Sequence, residues 1–316
     1  MLITFLGTGS GAPSSKRNVS AIGLTFIQKG KWWLFDCGEG TQHQIIRSSL
    51  NLNSLEKIFI THLHGDHLYG LMGLLGSRSL RGSEHTGPLT LYGPPGLEKY
   101  VKAIMEISPV HLQYELTIKT VEPGIIYEDD DLIVETAPVS HRIPAYSYSV
   151  TEKPRPGVFR VDLAKSEGVP AGPLYARLKR GEIVELPDGR IVHGTDFVGP
   201  PQPGLKFAYS GDTVPVPEFV ALAQDADVII HEATYVHEHV ELAERAGHST
   251  AWQAANVAKE ANAKALFLTH FSPRYENMDD RITMDDLLAE AQSVFPETHL
   301  AHDFLQYEIK RTRDTE

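Results

Sequence analysis

A chain of 316 residues with 41% hydrophobic and 22% charged side chains can bury a substantial core in one large domain, with or without an insertion. It holds no run near the roughly 18 apolar residues of a membrane span and no basic segment ahead of an N-terminal apolar run. Its single cysteine, Cys37, cannot close an internal disulfide, so the expected setting is the cytoplasm, away from membranes. The net charge of −12 would disfavour a nucleic-acid partner if it were evenly spread.

The predicted elements begin with a strand over residues 2–7 that runs into the loop GTGSGAPSSKRN. Strands follow over 20–27 and 32–36, joined by a turn at Gln28-Lys29-Gly30, then a helix over 39–50 and a buried strand over 57–61. Helices are expected over 68–80 and 96–107, with strands around 89–92, 132–139 and 146–150. After residue 204, strands are expected at 206–209, 228–230 and 265–268, with helices near 217–224, 250–261 and 283–295. Strands with helices between them in both halves suggest two sheets packed together under outer helices, a four-layer αββα sandwich, within a single domain spanning 1–316.

Residues 152–204 have a different texture. They hold eight Pro and eight Gly with little alternation, and they read as an extended insertion without regular core elements. Between Lys153 and Gly181 seven Lys or Arg face two acids, Asp162 and Glu167, an excess of five positive charges in an acidic chain.

The chemistry concentrates in Thr61-His62-Leu63-His64-Gly65-Asp66-His67, which follows a buried strand and so lies at that strand's C-terminal end, where α/β sites form. Imidazole and carboxylate suit zinc and similar metals, and four ligands in six positions converge only if the chain curls, which Gly65 permits. One loop cannot complete two metal spheres. His141, Asp212 and His270 each follow an apolar strand run and are the further candidates. A scaffold that has lost its metals would be expected to have lost ligands, whereas all seven positions are metal-competent.

His-x-His-x-Asp-His with the later His, Asp and His resembles the metallo-β-lactamase superfamily. Gly7-Thr8-Gly9, Asp36-Cys37-Gly38-Glu39-Gly40-Thr41-Gln42, His231-Glu232-Ala233-Thr234 and His248-Ser249-Thr250 narrow the resemblance to its ribonuclease Z branch, short form. Gly172-Pro173-Leu174 with the basic Arg177-Leu178-Lys179-Arg180 is similar to that family's inserted exosite arm. One segment departs: the family's Pro-x-Lys-x-Arg-Asn reads here PSSKRN, with lysine displaced to Lys16 while Arg17 and Asn18 match, so no tolerance of a CCA end is carried over.

The resemblance implies two zinc ions per subunit. His62, His64 and His141 would hold one, Asp66, His67 and His270 the other, and Asp212 would bridge them. It implies a zinc-dependent endoribonuclease that removes the 3′ trailer from precursor transfer RNA by in-line attack of a hydroxide held between the metals. The cut would leave a 3′-hydroxyl on the transfer RNA and a 5′-phosphate on the trailer. Asp66 is the candidate base, His248 the candidate acid and Glu232 its orienting partner. Lys16, Arg17, Asn18, Gly172, Pro173, Arg177, Lys179, Arg180 and Arg274 are the candidate substrate contacts. The family also implies a homodimer. The metal cluster alone would equally serve a small-molecule phosphodiesterase or arylsulfatase of the same superfamily; the basic arm is what a small substrate would not need.

Overall fold

The computed structural model describes residues 1–81, 86–109, 111–276 and 281–311. Two compact units emerge. One comprises Met1–Glu128, Val134–Val150 and Leu205–Glu316; the other comprises Asp129–Ile133 and Thr151–Gly204.

In chain order the first half supplies strands β1 (Leu2–Gly7), β2 (Ala21–Phe26), β3 (Lys31–Phe35), β4 (Leu55–Phe59), β5 (Leu89–Gly93), β6 (Leu116–Thr120), β7 (Gly124–Glu128), β8 (Leu132–Val139) and β9 (Ala145–Glu152). Its helices are α1 (Thr41–Arg47), α2 (Gly65–Leu68), α3 (Leu71–Arg81) and α4 (Leu97–Ile107). Thr151–Gly204 adds α5 (Val161–Ser166), α6 (Pro173–Lys179), β10 (Ile183–Glu185) and β11 (Ile191–His193). The remainder carries β12 (Lys206–Tyr209), α7 (Pro217–Leu222), β13 (Val228–Glu232), α8 (Val240–Ala246), α9 (Ala251–Glu260), β14 (Leu266–Thr269), α10 (Met284–Gln292), β15 (Thr298–Leu300) and β16 (Gln306–Glu308).

The first sheet runs β16-β1-β2-β3-β4-β5-β6 and the second β15-β14-β13-β12-β9-β8-β7. Period-two side-chain alternation sorts each strand's residues between two interfaces. On β3, Trp32 and Leu34 face a cluster with Ile45 of α1, Leu71, Leu74 and Leu75 of α3, and Val101 of α4. The alternate residues, Trp33 and Phe35, turn to the other sheet, where Phe35 meets Phe207 at 5.1 Å and Phe5 meets Phe267 at 5.6 Å between ring centroids. On β14 the same rule sends Leu266 and Leu268 toward Phe219 of α7, the alanines of α9 and Leu287 of α10. Helix, sheet, sheet and helix thus stack as the expected αββα sandwich. The inter-sheet aromatics dominate its core: truncating fully buried Phe59 to Ala would cost about 3–5 kcal/mol.

Strands β3 to β6 are parallel, as are β12 to β15. Their C-terminal ends carry the loops that matter. The helix predicted over 68–80 is α3, and the separate turn α2 precedes it. The capping box Thr250–Gln253 opens α9, consistent with the expected start near 250.

Thr151–Gly204 departs from the sequence reading, which saw no regular elements. Pro173 occupies the first turn of α6 behind Gly172, β10 and β11 pair antiparallel, and Ala164, Val169, Leu178, Val184, Leu186 and Phe197 form a small core of their own. These apolar residues are spread one or two per turn between glycines and prolines, which hides their periodicity. Over residues 151–204 there are eight basic and seven acidic side chains, so the excess seen up to Gly181 is nearly cancelled. Glu182 alone binds both Arg177 and Arg180, each at 2.8 Å.

Candidate metal centre and active site

The tetrad follows β4, with His64 on extended backbone as the residue before α2 and Asp66 and His67 in the first turn of α2. Gly65 opens that helix without a left-handed φ. A Cβ there would meet Tyr69 Cε2 at 2.2 Å, so the glycine makes room for a ring and does not supply an unusual curl. His141 follows β8, Asp212 follows β12, Glu232 ends β13 and His270 follows β14, so one rim of the first unit gathers all of them.

Two groups of donors converge, His62 with His64 and His141, and Asp66 with His67, Asp212 and His270; within each the ligand atoms lie within 4.8 Å of one another. Asp212 reaches both. Its Oδ2 is 3.6 Å from His62 Nε2 and 3.4 Å from His270 Nε2, and its Oδ1 is 3.3 Å from His67 Nε2 but outside hydrogen-bond geometry.

The surrounding hydrogen bonds assign the histidine protons. Thr61 Oγ1 gives its proton to Asp36 at 2.9 Å, so it accepts from His62 Nδ1 at 3.0 Å and leaves His62 Nε2 bare. Thr234 Oγ1 likewise donates to Glu232 at 2.7 Å and accepts from His270 Nδ1 at 2.9 Å, baring His270 Nε2. His67 Nδ1 donates to Asp36 Oδ2 at 2.7 Å and His141 Nδ1 to the Gly247 carbonyl at 2.7 Å. The bare His270 Nε2 lies 3.3 Å from His67 Nε2, and the bare His141 Nε2 lies 3.1 Å from His64 Nδ1. His62 Nε2 and Asp212 Oδ1 are buried without any hydrogen-bond partner. Lone pairs so arranged repel each other unless a cation sits among them. The donor set therefore fits divalent metal binding, and its mix of imidazole and carboxylate suits zinc.

The electrostatics agree. Burial, with its histidine neighbours, holds His62 well below the ordinary imidazole pKa. Burial acts on His67 in the same direction, but the carboxylates of Asp212, Asp36 and Asp66 overcome it and raise its pKa well above the usual range. Burial would raise the pKa of Asp212, yet His270 and His67 hold it well below. Carboxylates that favour positive charge on their neighbours suit a site for a cation.

Beside the cluster stands Glu232, buried, with Oε1 accepting from the Thr213 N–H at 2.9 Å and from His248 Nδ1 at 2.8 Å. Burial alone would lower the pKa of His248, but the Glu232 carboxylate outweighs it and pushes it up to about 9. The opposite nitrogen of His248 has no partner among the described residues, on a ring that keeps some exposure to the cleft.

The remaining candidates fall into two sets. Lys16 Nζ donates to the Glu276 carbonyl, and the Asn18 side chain donates to the Glu39 carbonyl at 2.9 Å. Arg17 donates to Thr8 at 2.7 Å and the Ala301 carbonyl at 2.8 Å, with its guanidinium over the Phe271 ring. These residues pin the loop after β1, whose Gly11 N–H reaches Asp66 Oδ2 at 2.8 Å. Arg274 donates to Ser272 and stacks over Tyr235. Gly172, Pro173, Arg177, Lys179 and Arg180 all lie on α6 and its ends in the second unit, away from the donor set in sequence and element.

Sequence reasoning missed the residues that hold the ligands. Asp36 accepts from the Thr61 N–H at 2.8 Å and the Tyr209 hydroxyl at 2.8 Å as well as from His67. A carboxylate just past β3, beside the strand leading to the tetrad, was the available signal. Thr61, Thr234 and the Gly247 carbonyl had none.

A four-layer αββα sandwich with a seven-donor His/Asp cluster on one rim defines a metallohydrolase of the metallo-β-lactamase fold. Residues 1–150 match the Anti-Pycsar protein Apyc1 family, and residues 183–271 match the beta-lactamase superfamily domain. The chain is 60% identical over 313 residues to ribonuclease Z of Brevibacillus brevis, covering 99% of this chain and 98% of that one. It is 52% identical over 311 residues to ribonuclease Z of Acaryochloris marina, covering 98% of each. The crystal structure of human tRNase Z, short form, superposes with a TM-score of 0.72 at 32% identity, covering 98% of this chain and 100% of that one. The chain belongs to the ribonuclease Z family and is an endoribonuclease that hydrolyses phosphodiester bonds.

Proposed function

We propose that this enzyme removes the 3′ trailer from precursor transfer RNA, leaving a 3′-hydroxyl on the transfer RNA and a 5′-phosphate on the trailer. The observation that carries the reading is the buried Glu232–His248 pair beside the seven-donor cluster, in a chain of this family.

His62, His64 and His141 would hold one zinc ion, Asp66, His67 and His270 a second, and Asp212 would reach both. Bound there, the pair would acidify water and neutralise the phosphate oxygens of the scissile bond. The protein's own residues do the rest. Asp36, Thr61, Thr234 and the Gly247 carbonyl orient the imidazoles. Asp66, held by the Gly11 N–H, accepts the proton of the attacking water. Glu232 keeps His248 protonated and aimed, and His248 gives that proton to the departing 3′-oxygen. Burial would raise the pKa of Glu232, but the charge and hydrogen bond of His248 hold it down and keep it ionised, with the Thr213 N–H and the Thr234 hydroxyl also donating to the carboxylate.

Residues 152–204 would grip the transfer RNA at a distance from the cut, through Arg177, Lys179, Arg180 and the Gly172-Pro173 turn. The loop bearing Lys16, Arg17 and Asn18, together with Arg274, would border the acceptor end. A cytoplasmic homodimer is the expected form. The test is cleavage of a pre-transfer RNA with a 3′ trailer by the wild type and by His248→Ala. The wild type should cut next to the discriminator base, and the variant should bind RNA equally while its kcat falls by about 100-fold or more. A wild type inactive on this RNA with metals supplied, or a variant with unchanged kcat, would refute the proposal.

A further inference from the structure

Beyond His141 the first unit contains a cavity of about 580 Å³ that the chemistry above does not use. Its lining includes His141, Arg142, Arg245, Gly247 and Gln253, with Val214 and Pro215 as apolar members. Gly247 joins it to the active site in three ways. Its carbonyl holds His141, its neighbour in the chain is His248, and its left-handed backbone (φ 77°) leaves room that a Cβ would take from His141 Nδ1 (3.0 Å) and Arg142 Cγ (3.3 Å). The His141 and His248 rings lie 5.0 Å apart, so the part of the lining formed by His141 and Gly247 adjoins the proton donor.

The polar lining is made of donors. Arg142 and Arg245 are exposed and form no ion pair among the described residues. Gln253 has its amide oxygen fixed by the Thr250 N–H at 2.9 Å in the capping box of α9, which leaves its NH2 group to present. Glu244 is the single carboxylate on the wall. Two guanidiniums and an amide NH2 on rigid backbone suit one phosphodiester, which arginine can take with paired N–H bonds.

We infer that Arg142, Arg245 and Gln253 form a subsite for the phosphodiester next to the scissile one, on the retained side of the RNA. The side follows from His248: the proposed reaction protonates the 3′-oxygen of the retained nucleotide, so that nucleotide and the phosphate 5′ to it lie toward the cavity. The inference therefore rests on the reading of function above.

The test compares two substrates and two backbones. With pre-transfer RNA, Arg142→Ala and Arg245→Ala should each lower kcat/KM about ten-fold, and the double variant about 100-fold. The slope of log kcat/KM against log salt should shrink by about 0.7 per arginine removed. Hydrolysis of bis(p-nitrophenyl) phosphate, which has no neighbouring phosphodiester, should stay unchanged. A neutral methylphosphonate at the phosphate 5′ to the retained terminal nucleotide should slow the wild type and leave the double variant indifferent. An equal fall on both substrates, unaltered RNA cleavage, or sensitivity to a methylphosphonate on the trailer side instead would overturn the subsite. A wild type that does not cut pre-transfer RNA would defeat the underlying reading, an outcome separate from variants that match an active wild type.

Discussion

Asp36 Oδ2 lies 2.7 Å from His67 Nδ1, and neither side chain is accessible to solvent. Asp36 holds this place in the left-handed region at φ 57°, a conformation costly for most side chains but tolerated by Asp and Asn. One carboxylate thereby fixes the tautomer of a metal-facing histidine and ties together β3, the tetrad and Tyr209 of the second sheet.

Asp36→Asn tests this relation without adding backbone strain. The amide nitrogen cannot accept from His67, Tyr209 or Thr61, so one or more buried donors lose a partner, at about 2–3 kcal/mol of stability. The loss of carboxylate character on His67 should weaken metal affinity about 10–100-fold. Competition with a chromogenic chelator reads the second effect and thermal denaturation the first. Wild-type metal affinity in a folded variant would show that Asp36 is structural only.

The pairing of Glu232 with His248 makes a different forecast. Glu232→Gln keeps one oxygen to accept from the Thr213 N–H, gives up the acceptor for the Thr234 hydroxyl on the other side, and removes the charge that holds His248 protonated. If the two act as one device, Glu232→Gln and His248→Ala should each lower kcat about 100-fold with KM little changed, and the double variant should be scarcely worse than either. Multiplying effects would mean that the two act independently.

The sequence revealed the ligands better than their supports, for a physical reason. His62, Asp212 and His270 announce themselves because each follows a run of buried strand residues, and the topology of parallel strands brings such ends together, while His141 follows the alternating strand β8. Asp36, Thr234 and Gly247 act through hydrogen bonds between segments distant in sequence, which no local pattern records. The same contrast holds for the fold. Strands with one fully buried face were legible, whereas β6 and β7, part-exposed along their length, show little alternation and were missed. In Thr151–Gly204 the basic excess counted from Lys153 to Gly181 stops one residue short of Glu182, the carboxylate that pairs with Arg177 and Arg180.

Removing the metals should cost more than activity. The buried Nε2 of His62 and Oδ1 of Asp212 have no hydrogen-bond partner and are unfavourable without a cation. A ligand held at a thousand times its dissociation constant stabilises by about 4 kcal/mol, so exhaustive chelation should lower the melting temperature by roughly 5–10 °C and abolish cleavage. Readdition of zinc should restore both. Full activity in protein with less than about one metal ion per chain by elemental analysis would exclude a metal-dependent mechanism.

The second unit offers the sharpest separation of chemistry from substrate choice. Thr151–Gly204 closes its own core around Leu178, Val184 and Phe197 and contributes none of the seven donors nor Glu232 or His248. Replacing residues 153–203 by a short Gly/Ser linker should therefore spare the hydrolysis of bis(p-nitrophenyl) phosphate to within about three-fold. Cleavage of pre-transfer RNA should fall by about 100-fold or more, because distant phosphate contacts supply much of the affinity for RNA. Within the unit, Glu182 restrains Arg177 and Arg180, so the phosphate contacts of these arginines must compete with an existing pair. Glu182→Ala should accordingly tighten RNA binding and steepen its salt dependence, measured by titration in a slow-cleaving His248→Ala background. Weaker binding in Glu182→Ala would mean that the carboxylate organises the arginines for RNA instead of competing for them. Full RNA cleavage by the deletion variant would remove this unit from substrate recognition altogether.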